Sequence, residues 1–110
     1  MKKIVLLVLI IILLGCTKTE EPDLKKLMAE TSHIILDVRT NAEYNYEHVV
    51  GAINIPVDEI TEDINLDKEK LIFVYCKSGN RSSKASAILE DLGYKTYDLG
   101  GISSIDLPKE

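Results

Sequence analysis

The chain has 110 residues, 45% of them hydrophobic and 28% charged, with a formal net charge of −5. That length leaves room for one domain. The acidic balance excludes ordinary nucleic-acid binding, which depends on clustered Lys and Arg neutralising phosphates.

Met1-Lys2-Lys3 gives a positive start, and Ile4–Leu14 is an unbroken apolar run. At about 1.5 Å per residue, a helix of that run reaches only about half of a ~30 Å hydrocarbon core, which argues against a transmembrane anchor. A buried core helix conflicts with the all-round apolarity and the basic start. The hydrophobic region of a secretory signal over residues 1–15 fits better. Leu13-Leu14-Gly15-Cys16 resembles the lipobox of bacterial lipoproteins, although Leu14 stands where a smaller or β-branched residue is more common. The alternative is an ordinary signal peptide that ends near a Cys. The resemblance implies that Cys16 is acylated and becomes the mature N-terminus. It also implies a lipid bilayer as partner and an exported domain facing the periplasm or the cell exterior. Several acyl chains at about 0.8 kcal/mol per buried CH₂ anchor stably where one does not. Thr17 in place of Asp offers no inner-membrane retention signal. Loss of Lys2 and Lys3 with the signal leaves eleven basic against eighteen acidic residues, a formal charge of −7.

Residues 16–23 then read as the lipidated Cys and a polar tether, and 24–110 as the domain. Leu24, Leu27 and Met28 fall at helical spacing. Ile34-Ile35-Leu36 is a short buried strand. Thr40 with Glu43 forms a capping box that starts a helix at Asn41. Ala52–Ile55 is a second strand, ended by Pro56. The run Glu59–Lys70 (EITEDINLDKEK) reads as a solvated connection, and His33 as a surface residue. Leu71–Tyr75 is continuously apolar, as in a parallel strand covered on both faces. Ala85, Ile88, Leu89 and Leu92 mark one face of a helix over Ser82–Leu92, with Gly93 as its left-handed cap. Lys95–Tyr97 forms a further strand. Strands alternating with helices predict an α/β domain with a mainly parallel central sheet flanked by helices.

The chemistry gathers between the Leu71–Tyr75 strand and the following helix. Cys76-Lys77-Ser78-Gly79-Asn80-Arg81 lies at the carboxyl end of a strand, where open α/β sheets place their ligand sites. It also runs into a helix N-terminus, with its unpaired N–H groups and partial positive charge. Gly79 allows successive N–H groups to turn inward as an anion nest. Lys77 and Arg81 are predicted to add positive charge. Each of these features favours a thiolate, lowering a Cys from about 8.5 into roughly the 3.5–7.5 range. A structural Cys followed by a polar turn is the plainer alternative. It accounts less well for two basic residues, a Gly and a helix start within six positions. Once Cys16 is acylated, Cys76 has no partner for an intramolecular disulfide.

Three blocks of the domain resemble the single-domain rhodanese family across nearly all of residues 24–102. They are Ile35–Arg39 with Glu43-Tyr44, His48–Pro56, and Tyr75–Ser82 followed by Gly100-Gly101. Glu47 replaces the family's Gly before the His, and Ile102 replaces an aromatic residue after the closing glycines. The resemblance implies a three-layer rhodanese-like fold and a ping-pong sulfur transfer through a Cys76 persulfide. The N–H groups of Lys77, Ser78, Gly79, Asn80, Arg81 and Ser82 would cradle the persulfide. Lys77 and Arg81 would attract a small anionic donor such as thiosulfate, and a thiol or protein would accept the sulfur. No metal or organic cofactor is implied. Asp37, Arg39, Glu43 and His48 are read chiefly as a network that braces the loops, with a direct role for His48 as base the lesser reading. Two competing functions stand beside this one. A Cys-dependent phosphatase or arsenate reductase would need five residues between Cys and Arg, where this loop has four. A non-catalytic binding or sensing lipoprotein is less compatible with an intact Cys76.

Overall fold

The structure is a computed structural model and describes residues 23–110; the predicted signal, Cys16 and the tether up to residue 22 lie outside the described residues. Helix α1 (Leu24–Glu30) leads to strand β1 (His33–Asp37) and helix α2 (Asn41–Tyr46), followed by the two-residue strand β2 (Ile53–Asn54). A 3₁₀ turn at Val57–Glu59 precedes β3 (Leu71–Cys76), α3 (Asn80–Asp91) and β4 (Lys95–Gly101), and a second 3₁₀ turn covers Ile102–Ser104. The four strands form one sheet in the order β2-β1-β3-β4 with every ladder parallel. This is the α/β architecture expected from the strand–helix alternation.

Side chains alternate across the sheet, so each strand feeds two cores. Leu36, Ile72, Val74 and Cys76 pack on one side with Ala85 and Leu89 of α3, and with Val57, Ile60 and Tyr94. Ile35 and Tyr75 pack on the other side with Val49, Ala52 and Ile105, and Met28 of α1 and Tyr44 of α2 close over them. Coverage of both faces explains why Ile34–Leu36 and Leu71–Tyr75 are continuously apolar rather than alternating. The sheet is thus the middle of three layers.

The capping box at Thr40 forms as predicted: its hydroxyl accepts the Glu43 N–H at 3.2 Å and the Glu43 carboxylate accepts the Thr40 N–H at 3.2 Å. Gly93 ends α3 with φ +96°, a left-handed angle that disfavours a side chain.

Several boundaries and placements differ from expectation. Helix α3 begins at Asn80, two residues before Ser82, because its first turn lies against the loop and carries no apolar periodicity. Strand β4 runs on to Gly101 beside the end of β3, and β2 shrinks to Ile53–Asn54. The Glu59–Lys70 connection is only partly solvated. Ile60 is buried, Ile64 and Leu66 pack on the α3-side core, and the Tyr94 hydroxyl accepts the Leu66 N–H at 3.1 Å and donates to the Ile64 carbonyl at 3.2 Å. His33 is half-buried, its ring edge-on to Phe73. The C-terminal residues return to the domain: Glu110 and His48 exchange two backbone hydrogen bonds, each 2.9 Å, and Val49 bridges Lys109 antiparallel.

Candidate active site

Strand β3, inside the sheet, delivers Cys76 to the sheet's carboxyl-terminal end, and the chain turns under its own sulfur before entering α3. The turn depends on Gly79, the α3 N-cap, at φ +98°. That left-handed angle aims the Gly79 N–H at Cys76 Sγ, 3.0 Å away. Ser82, in the first turn of α3, places its hydroxyl oxygen 3.4 Å from the same sulfur and 3.1 Å from the Gly79 carbonyl. A hydroxyl has one hydrogen to give. In the thiol form the S–H donates to Ser82 Oγ, whose hydrogen goes to the Gly79 carbonyl. In the thiolate form that hydrogen turns to the sulfur. Burial alone would push the Cys76 thiol up. The Ser82 hydroxyl and the N–H groups of Ser82, Gly79 and Ser78 outweigh it, and the thiol lies below its ordinary value.

Glu43 holds Arg81 end-on, Nη1 to Oε1 at 2.7 Å and Nη2 to Oε2 at 3.0 Å, while the guanidinium still interacts electrostatically with Cys76. The Arg81 pair brings the Glu43 carboxyl down to about 2 against the opposing effect of burial, with Thr40 assisting. Glu43 therefore does two jobs, capping α2 and tying α2 to the loop. Lys77 is exposed, with no ion-pair partner among the described residues. Ser78 and Asn80 are exposed as well. Cys76 itself has no accessible surface.

The remaining predicted residues form the frame around the loop. Asp37 and Arg39 make a buried ion pair, Oδ2 to Nη2 at 2.6 Å, and Arg39 also donates to the Glu47 carbonyl at 2.6 Å. The Arg39 guanidinium lies over the Tyr75 ring at 5.5 Å. Asn54, which drew no attention in the sequence, donates from one amide nitrogen to the Asp37 and Arg39 carbonyls, each 3.0 Å away. His48 stacks on Tyr44 and spends both ring nitrogens, one against the Tyr44 carbonyl at 2.9 Å and one against the Glu110 carboxylate at 3.0 Å. The structure brings Cys76, Gly79, Arg81, Ser82 and Glu43 together and places His48 at the C-terminal lock.

Sequence reasoning also missed what Gly101 does. Cys76 and Gly101 are register partners, and a Cβ on Gly101 would stand 2.5 Å from the Lys77 carbonyl oxygen. The loop therefore rests on bare backbone at this point. A cleft of about 420 Å³ opens alongside, lined by Arg39, Glu43, Glu47, Tyr46, Lys77 and Ile102 among others.

Comparison with known proteins agrees with this geometry. Residues 20–106 match the family described as the rhodanese-like domain. The chain is 42% identical over 78 residues to thiosulfate sulfurtransferase PspE of Escherichia coli (strain K12), an alignment covering 67% of this chain and 75% of that protein. It is 34% identical over 80 residues to the adenylyltransferase and sulfurtransferase uba4 of Ogataea parapolymorpha, covering 71% of this chain but only 21% of that longer protein. A solved structure described as a rhodanese with anions from E. coli aligns with a TM-score of 0.66 at 37% identity, covering 72% of this chain and 98% of that one. With a matching fold, a matching family region and relatives that are sulfurtransferases, this chain belongs to the rhodanese-like domain family.

Proposed function

We propose that the protein is a sulfurtransferase in which Cys76 carries the transferred sulfur as a persulfide. In the first half-reaction the Cys76 thiolate attacks the outer sulfur of a small anionic donor such as thiosulfate. The donor's S–S bond breaks and sulfite leaves with the electron pair. In the second half-reaction an acceptor thiolate attacks the outer sulfur of the persulfide, and Cys76 departs as a thiolate. Cys76 is thus nucleophile in one step and leaving group in the other, and a lowered thiol pKa favours the departure as well as the ionised resting state. The observation that carries this reading is the Gly79 N–H held 3.0 Å from Cys76 Sγ. The four-residue spacing between Cys76 and Arg81 supports it, since it makes a bowl narrower than a phosphate requires.

Intact mass of the purified chain before and after thiosulfate tests this reading. The wild type is expected to gain one sulfur atom and to lose it to cyanide, and Cys76→Ser is expected to gain nothing. A wild type with a confirmed free thiol and no mass gain would remove thiosulfate as donor. Loading should follow the thiolate fraction, so its acid limb lies below that of an ordinary thiol. Ser82→Ala should move the limb upward by removing one donor to the sulfur.

The export and anchoring of the domain are part of the same proposal. The basic start, the apolar run of residues 4–14 and Leu13–Cys16 support acylation at Cys16 and a domain facing the periplasm or the cell exterior. Metabolic labelling with a tagged fatty acid in an expressing bacterium should mark the wild type and leave Cys16→Ala unmarked. Equal labelling of both would end this part of the proposal.

A further inference from the structure

Strand β4 does not keep step with β3. Val74 stands opposite Asp98, but Tyr75 stands opposite Gly100 and Cys76 opposite Gly101, so Leu99 is an extra residue in the ladder. Such bulges are rare between parallel strands and over-represented beside active sites, where they re-aim the chain. Without the extra residue Gly100 would face Cys76; with it Gly101 does. Leu99 packs into the Tyr75-side core, and the two glycines run on against the loop. A Cβ on Gly79 would stand 3.8 Å from Gly100 Cα, and one on Gly101 would stand 2.5 Å from the Lys77 carbonyl oxygen. The loop stretch resting there supplies the Ser78 and Gly79 N–H groups that favour the thiolate. One side-chain contact closes the bulge. Asp98 Oδ1 accepts the Gly100 N–H at 2.9 Å, spanning Leu99, while Gly100 takes φ +78°. Asp98 is exposed and has no ion-pair partner among the described residues, so this N–H is what its carboxylate engages there.

From this geometry we infer that Asp98 is a positioning residue for sulfur transfer: by fixing the bulge, its carboxylate sets the Gly100–Gly101 floor on which the Cys76 loop rests. Asp98 acts through the backbone, by way of Gly100 and Gly101. The inference rests on the sulfurtransferase reading for its effect on rate, and on geometry alone for its effect on the thiol. A hydrogen bond weakens steeply as its angle opens, so a floor that can slide weakens the Ser78 and Gly79 donors to the sulfur. Ser82, carried by α3, keeps its place. Losing part of the donor set moves the thiol back toward its ordinary value, and the thiolate available for loading falls with it. The negative charge of Asp98 works the other way, since it disfavours both a thiolate and an anionic donor nearby. Charge and hydrogen bond are therefore separable. Asparagine keeps an Oδ1 acceptor and drops the charge, whereas alanine drops both.

Asp98→Ala and Asp98→Asn are compared with the wild type as purified full-length chains. Because the side chain is exposed, neither variant loses core packing and both are expected to fold. Sulfur loading at saturating thiosulfate, followed by intact mass, is expected to be about threefold to tenfold slower in Asp98→Ala than in Asp98→Asn. The ultraviolet thiolate absorbance of Cys76, read against the matching Cys76→Ser protein, is expected to titrate at higher pH in Asp98→Ala than in Asp98→Asn. A residue that served stability alone would lower the urea midpoint of Asp98→Ala and leave that titration where it stands. Superimposable titrations of the two variants would therefore overturn the inference, as would equal loading rates in two proteins that load. A wild type that takes up no sulfur would overturn the sulfurtransferase reading, and the titration alone would then decide the inference.

Discussion

Gly101→Ala is expected to slow sulfur loading about a hundredfold while the protein stays folded. The added Cβ would stand 2.5 Å from the Lys77 carbonyl oxygen, 3.2 Å from the Lys77 carbonyl carbon and 3.4 Å from Ser78 Cα. All three are backbone atoms, so no side chain can swing aside, and the loop beneath the sulfur must shift. Gly101 itself has φ −85° and ψ 142°, extended angles open to any residue, so the requirement is for space. Overpacking of this kind costs roughly 1–3 kcal/mol of stability. Gly100→Ala provides the contrast. Gly100 has φ +78° and nothing within 4 Å of a Cβ, so alanine there is strained by about 1–2 kcal/mol but meets no part of the loop. Loading rates and urea midpoints should therefore separate the two variants, with similar losses of stability and very different losses of rate. Wild-type loading in Gly101→Ala would show that the loop gives way harmlessly.

The same pair of glycines marks where sequence stops being informative. A Gly-Gly near the end of a strand is visible in the sequence. That one glycine serves backbone angle and its neighbour serves a backbone contact across the sheet is not. Local signals carried well: the Thr40–Glu43 capping box, the apolar runs of β1 and β3, and the Ala85–Leu89 stripe all depend on residues within a turn or two of each other. The start of α3 at Asn80 was hidden because its first turn faces the loop, so burial leaves no periodic mark there. Glu43 and Arg81 are 38 positions apart, and each has a plausible local role alone. Only the fold shows that Glu43 holds the Arg81 guanidinium, and that the Ser82 hydroxyl and the N–H groups of Ser78, Gly79 and Ser82 favour the thiolate directly. Likewise the Asp106–Glu110 tail has too little apolar content to announce that it closes over His48 and Val49.

Arg39→Met is expected to destabilise the domain by about 3–5 kcal/mol, a large share of the roughly 5–15 kcal/mol that holds a typical small protein together. Asp37 has no exposed surface, and Arg39 is its partner through Nε at 3.0 Å to both carboxylate oxygens and Nη2 at 2.6 Å to one of them. Removing the guanidinium leaves a buried carboxylate without its counter-charge, and the Glu47 carbonyl without its donor. The backbone N–H of residue 39 still reaches Asp37 Oδ1 at 2.9 Å, which one hydrogen bond cannot offset. The size of the loss does not by itself mean that the pair stabilises the fold relative to a neutral one. Asp37→Asn combined with Arg39→Met separates the two ideas. The amide keeps an acceptor for that N–H and removes the stranded charge, so the double variant should recover about 1–2 kcal/mol over Arg39→Met alone. Chemical denaturation of the two variants beside the wild type measures the difference directly. Recovery would assign most of the damage to unpaired charge. A double variant no more stable than Arg39→Met would assign it to lost geometry, with the guanidinium needed as the strut joining β1, the Glu47 carbonyl and the Tyr75 ring beneath the loop.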